Sequence, residues 1–90
     1  MKAHVLKIWP IFFDAVARGE KSFEVRKNDR DFQPGDEVTL KEWNPKTEEF
    51  TGRELNRLII YVFKGGSFGV QEGFVVFSML PIYELLTPPK

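Results

Sequence analysis

The chain has no cysteine and a single histidine, His4, among its 90 residues. Without a thiol there is no disulfide framework, no thiolate zinc site and no cysteine nucleophile. One histidine excludes a multi-histidine metal centre, which leaves carboxylate-held Mg²⁺ as the one metal option. No metal or cofactor is expected. Charge of one sign is also missing: 13 basic residues face 13 acidic ones, for a formal net charge of zero. Domains that hold nucleic acid through a general basic field usually carry a clear basic excess, so any such contact here must be local. No apolar run approaches the ~20 residues needed to cross a bilayer, and the first residues lack a signal-peptide core. The expectation is a soluble, cytoplasmic protein with no membrane partner.

What is abundant is aromatic. Nine Phe, two Trp and two Tyr bring the aromatic share to 14%, within a chain that is 42% hydrophobic. Ninety residues make one domain, 1–90, with its core over about 4–86 and an unstructured tail at 87–90. A domain this small buries only roughly 60 to 65% of the surface of its unfolded chain, so the core needs large side chains.

Periodicity sets the order of elements. Residues 4–8 alternate as a short strand, with Lys7 on its outer face as an edge-strand or cleft-wall residue. Pro10 suits the first turn of a helix, Ile11, Phe12, Ala15 and Val16 recur at helical spacing, and Gly19 stands at the C′ position. Trp9 reads as a staple at the helix entry. A strand follows over 21–27, then a polar turn at 28–31 and a Pro34-Gly35 type II turn. Residues 37–43 alternate cleanly. Residues 50–53 and 55–63 form one long strand or two linked ones, with 58–63 apolar enough to be buried on both faces. Residues 64–69 read as a mobile loop, 73–80 as the last core strand and 82–86 as its extension. One N-terminal helix with five or six strands in hairpin-type links predicts a mainly β, α+β domain whose sheet closes into a small barrel and so removes its edges.

Chemistry concentrates in residues 19–30, where seven of twelve side chains are charged. Alternation points Phe23 and Val25 to one face and Ser22, Glu24 and Arg26 to the other. A carboxylate and a guanidinium two apart on one strand face either pair with each other or jointly hold a polar ligand. Read locally, Lys21 and Arg26 suit phosphate, Arg as a bidentate fork and Lys as a point charge. The same residues would also serve as an ordinary surface ion-pair network with Glu20 and Glu24, worth only ~0 to 1 kcal/mol per pair. Glu24 suits the amino group of a base, general acid/base work, or the holding of Arg26 and Lys21. Asn28 and Arg30 lie in the turn, where Asn28 can read a base edge and Arg30 can overhang a cleft. Trp43, at a strand end, can stack a base or fill the core. His4 reads as a satisfied structural histidine.

Gly19, Lys21, Glu24 and Arg26 spell G-x-K-x-x-E-x-R, and with this motif the chain resembles the ASCH family of the PUA-like superfamily. A strand and a helix precede the motif and a Gly35-Asp36 turn follows it, in the family's order. Phe23, the 26–30 run, Phe32 and Glu42-Trp43 look like a compact ASCH-like subgroup of phages and bacteria catalogued as a domain of unknown function. The resemblance implies a small PUA-like β-barrel with a polar cleft beside the motif strand, binding RNA or a nucleotide-like ligand. It implies ligand contacts from Lys21, Glu24, Arg26, Asn28, Arg30 and Trp43.

Some small ASCH proteins look like hydrolases of acylated pyrimidine nucleosides that use a motif Lys with a Thr three positions on. Glu24 stands at that position here. A hydrolase of a modified nucleoside or RNA, with Lys21 and Glu24 as its acid/base pair and water as the nucleophile, is therefore the runner-up. The third reading is a phage or bacterial protein-interaction module using Ile82, Leu85 and Leu86. A monomer or weak dimer is expected.

Overall fold

The structure, a computed structural model, describes residues 1–82. The elements run β1 (Ala3–Ile8), α1 (Pro10–Ala17), β2 (Phe23–Lys27), β3 (Glu37–Asn44), β4 (Glu49–Lys64) and β5 (Phe74–Pro81). The expected strand extension through Leu86, the tail at 87–90, and Leu85 and Leu86 of the expected apolar patch lie outside the described residues. Among the described residues no helix is long and apolar enough to cross a membrane.

Helix α1 forms where the sequence places it. Pro10 occupies its first turn, the Trp9 carbonyl accepts from the Phe12 and Phe13 N–H groups at 3.0 and 2.8 Å, and Gly19 takes φ +79° just past the end. Its buried side chains are Phe13 and Val16, while Ile11 and Phe12 stay largely exposed, so the core-facing stripe is rotated from the expected one. The Pro34-Gly35 turn also holds, with Gly35 at φ +94° and the Asp36 N–H donating to the Gln33 carbonyl at 3.1 Å.

The five strands form one curled sheet, a half-barrel, in the order β1-β3-β4-β5-β2. The β1–β3 pair is parallel and the other three pairs are antiparallel. Only β3–β4 and β4–β5 are hairpins. After β1 the chain passes through α1 to β2 at the far edge, then returns to lay β3 beside β1. The expected closed barrel is therefore corrected to an open one: β1 and β2 are the two edges, and no ladder joins them.

The concave face carries the core, where Leu6, Ile8, Val38, Leu40, Ile59, Val75, Phe77 and Met79 meet Phe13 and Val16 of α1 and Phe32 from the loop before β3. One sheet layer has one core face, which is why the expected two-sided burial of 58–63 fails: Ile59 is fully buried but Tyr61 is 61% exposed. Within β4, registers shift opposite Lys41/Trp43 and at Ile59/Tyr61. Such bulges sharpen local twist and help the sheet curl. The 64–69 loop tip is tied by bonds from Gly65 N–H to the Phe74 carbonyl and from Gly66 N–H to the Val70 carbonyl, each 2.8 Å.

Candidate functional site

The motif strand inverts the usual sense of an amphipathic strand. Glu24 and Arg26 lie on the core side of β2, registered against the buried Phe77 and Val75 of β5, whereas Phe23 and Val25 face outward and are about half exposed. Alternation is as the sequence predicts, but the polar face is the inner one. The Glu24 side chain is only 5% exposed. Its Oε1 accepts from Lys21 Nζ, and its Oε2 accepts from Arg26 Nε at 2.7 Å. A buried carboxylate is tolerated only when paired and hydrogen-bonded, and here each oxygen has its own cation.

Arg26 and Arg30 reach across the gap to the β1 edge, and Lys21 caps the β2 edge. Arg26 Nη2 donates to the Lys7 carbonyl on β1 at 2.8 Å, Arg30 Nη1 to the Val5 carbonyl at 2.8 Å, and Lys21 Nζ to the Phe23 carbonyl on β2 at 2.8 Å. Even-numbered β1 residues point their backbone groups at β3, as the Glu37 N–H to Lys2 carbonyl bond shows, so Val5 and Lys7 are left with outward carbonyls. Unpaired edge groups are an association hazard that proteins blunt with charge. Three side chains of the motif region do this directly.

Between the β1–α1 junction and β2 the gap opens into a cleft of about 460 Å³. Lys21 and Arg26 bring two cations to its wall against the one carboxylate of Glu24, while Lys7 lines it with its Nζ turned to the Trp43 ring on the outer face. Trp9, Phe12 and Phe23 supply aromatic surface. Trp9 is 51% exposed and its ring stacks on Phe12, with centroids 6.4 Å apart and planes 25° from parallel. Lys21 Nζ lies 5.1 Å from the Phe23 ring centroid and 5.8 Å from that of Phe12. The volume falls within the range of small-molecule sites, which pair an apolar lining with a few placed polar groups.

Of the six ligand contacts the sequence nominates, Lys21, Glu24 and Arg26 come together in this cleft. The other three are elsewhere. The Asn28 Oδ1 accepts from the Phe32 N–H at 3.3 Å and so serves its own turn. Arg30 lies further along β1, on the Val5 carbonyl. Trp43 falls on the outer face of β3, because Leu40 and Glu42 take the inner face and side chains alternate. The tryptophan of the cleft is Trp9, which the sequence assigns only to the helix entry. No sequence signal marks it, because its neighbour Phe12 recurs at core spacing and proves about half exposed only in the fold.

Two buried carboxylate sites brace the cleft from outside. Glu42 accepts from Arg53 Nε at 3.0 Å and Nη2 at 2.7 Å and from the Thr51 hydroxyl at 2.6 Å, while Arg53 Nη2 also donates to Asp14 of α1 at 2.9 Å. Arg53 thus straps the helix to β3, its guanidinium 4.5 Å from the Phe13 ring centroid. The Arg53 hydrogen bonds hold the Glu42 carboxyl below its ordinary 4.5, outweighing burial, with the Thr51 bond adding to them. At Asp36, burial pushes the carboxyl up, but bonds from His4 and from the Lys2 and Gln33 N–H groups prevail and hold it below 3.8. His4, itself buried and 2.9 Å from Asp36, has the structural role its isolation suggests.

Both folded carboxyls titrate below their unfolded counterparts, so the unfolded chain binds more protons as the solution is acidified. The stability they contribute is complete above about pH 5 and is lost as pH falls through the lowered values. Urea midpoints measured from pH 7 down to about 3 should stay level and then drop. Glu42→Gln should flatten that acid limb.

A family model described as a domain of unknown function, DUF3850, matches residues 3–79. The chain is also 40% identical over 58 residues to the "Uncharacterized 12.9 kDa protein in GpA 3'region" of Escherichia phage P2, covering 64% of this chain and 51% of that protein. The chain spans about half the length of the curated relative it matches.

Proposed function

The chain belongs to the DUF3850 family, and on that premise we propose that it is a nucleotide-binding domain whose cleft takes a nucleoside phosphate, free or within RNA. The observation that carries the reading is the composition of one wall: two cations, Lys21 and Arg26, beside three aromatic rings in a cleft of about 460 Å³. Cations suit phosphate and rings suit a base. Arg26 commits Nε and Nη2 to the protein and leaves Nη1 without a partner among the described residues. In this reading Lys21 and Arg26 hold the phosphate, Trp9 stacks the base, and Glu24 keeps the two cations aimed. With both oxygens engaged and its side chain nearly buried, Glu24 acts as a counter-charge more readily than as a reader of base edges. We also propose that the domain is a compact relative of the ASCH group. The G-x-K-x-x-E-x-R motif and the strand-helix-strand order around it support that kinship.

The hydrolase alternative needs Glu24 and Lys21 as an acid/base pair acting on water, yet both Glu24 oxygens are engaged by Lys21 and Arg26, so no observation favours it over binding. Calorimetric titration with uridine monophosphate and with uridine separates the phosphate contribution. The monophosphate should bind at least about tenfold more tightly at low salt, the least that a charge-assisted hydrogen bond contributes. The advantage should shrink with added salt, because these cations are only partly buried. Equal affinity for the two would overturn the phosphate assignment.

A further inference from the structure

The outer face of the sheet holds a second group of rings and cations that the cleft does not use. Trp43 and Phe50 are cross-strand partners of β3 and β4, with Phe50 47% exposed. Lys7 Nζ lies 4.6 Å from the Trp43 ring centroid and 5.8 Å from that of Phe50, and Lys41 Nζ lies 4.8 Å from the Phe50 centroid. Lys7 and Lys41 are themselves register partners in the parallel β1–β3 ladder. The result is a pair of adjacent rings bordered by two lysines, Phe50 about half exposed and Trp43 partly so.

Lys7 belongs to both places. It lines the cleft and its ammonium reaches the Trp43 ring. A chain leaving the cleft past Lys7 therefore meets Trp43 and Phe50 next. We propose that the cleft and this aromatic face form one track for single-stranded nucleic acid, with Trp43 and Phe50 as the stacking subsite of a second nucleotide. The inference rests on the nucleotide reading of the cleft and extends it from a single nucleotide to a strand.

The chemistry selects that occupant. Alternating rings and cations match a polymer that alternates bases and phosphates, and every base offers a face for stacking whatever the sequence. In the free protein the two lysines lie over the rings. A base on an aromatic side chain is the stronger partner than an exposed ammonium, so an arriving base displaces the lysines, whose charges then meet the flanking phosphates. An apolar protein partner would gain nothing from Lys7 and Lys41 and would have to bury both.

The test compares uridine monophosphate with a uridine tetranucleotide, and a thymidine tetranucleotide in parallel, on the full chain and on the Trp43→Ala/Phe50→Ala variant. The track predicts that the variant loses about tenfold or more in tetranucleotide affinity while its affinity for the monophosphate is unchanged, which also shows that it is folded. Loss in both tetranucleotides assigns the track to bases and phosphates alone. Loss in RNA only adds the 2′-hydroxyl to the contacts. If the double variant does not fold, Phe50→Ser serves, its side chain being half exposed. Monophosphate binding with identical tetranucleotide affinity in the original and variant chains overturns the track and leaves the cleft reading standing. Failure of the monophosphate to bind at all overturns both.

Discussion

Replacing Lys21 and Arg26 together by alanine should weaken uridine monophosphate binding by about a hundredfold or more. A hydrogen bond to a charged group is worth roughly 1.5–3 kcal/mol, and each 1.4 kcal/mol is about a factor of ten. Two such contacts, taken at the low end because Glu24 already shares both cations, give that figure. The substitution must not leave Glu24 as a lone buried charge, since orphaning one partner of a buried pair costs about 3–5 kcal/mol. The comparison is therefore made in a Glu24→Gln background on both sides. Arg26→Lys keeps the charge but loses the fork that spans the Glu24 carboxylate and the Lys7 carbonyl, and should land between the two extremes. Unchanged affinity in a folded Lys21→Ala/Glu24→Gln/Arg26→Ala chain would remove the phosphate role from both residues.

The largest effect on stability is expected at Phe32, a loop residue. Its side chain is 1% exposed, with its ring 4.7 Å from that of His4 and 5.1 Å from that of Phe77. It plugs the core between β1 and β5 and pins the connection that carries Arg30 to the β1 edge. Phe32→Ala should cost about 3–5 kcal/mol, the usual price of emptying a packed aromatic site. That is a large part of the ~5–15 kcal/mol by which a domain is stable. With a urea slope of about 1–3 kcal/mol per molar, the unfolding midpoint should fall by roughly 2 M. Phe68→Ala, at a position 91% exposed, should move it hardly at all. A shift at Phe32 no larger than at Phe68 would mean that the 28–36 loop does not contribute to the core.

Local features were legible in the sequence because local rules determine them. The proline start and glycine stop of α1, the alternation of β2 and the Pro34-Gly35 turn each follow from conformational preferences within a few residues. What eluded it depends on contacts between distant residues. Nothing local to 3–8 announces a parallel pairing with 37–42, which requires the chain to visit the far edge first. Nothing local tells that Glu24 faces inward, because that depends on cations from Lys21 and Arg26 and on an open edge for Arg26 to reach. The Glu42–Arg53–Asp14 strap spans three elements and carried no motif. For the candidate site, the charged half was readable from the strand pattern. The aromatic half was not, because Trp9 and Phe12 become a cleft wall only when β1 and β2 face each other across the seam.

The central claim, that the seam beside β2 is a nucleotide site, is tested most directly by a nitrogen-15 correlation titration with uridine monophosphate. The chain has two tryptophans, Trp9 in the cleft and Trp43 on the outer face, so its two indole N–H signals report separately on the two places. The account predicts a saturable shift of the Trp9 indole together with the backbone amides of residues 21–26, with Trp43 the lesser responder. Spectra in which neither Trp9 nor residues 21–26 move, up to about 10 mM nucleotide and so for any dissociation constant tighter than millimolar, would contradict it.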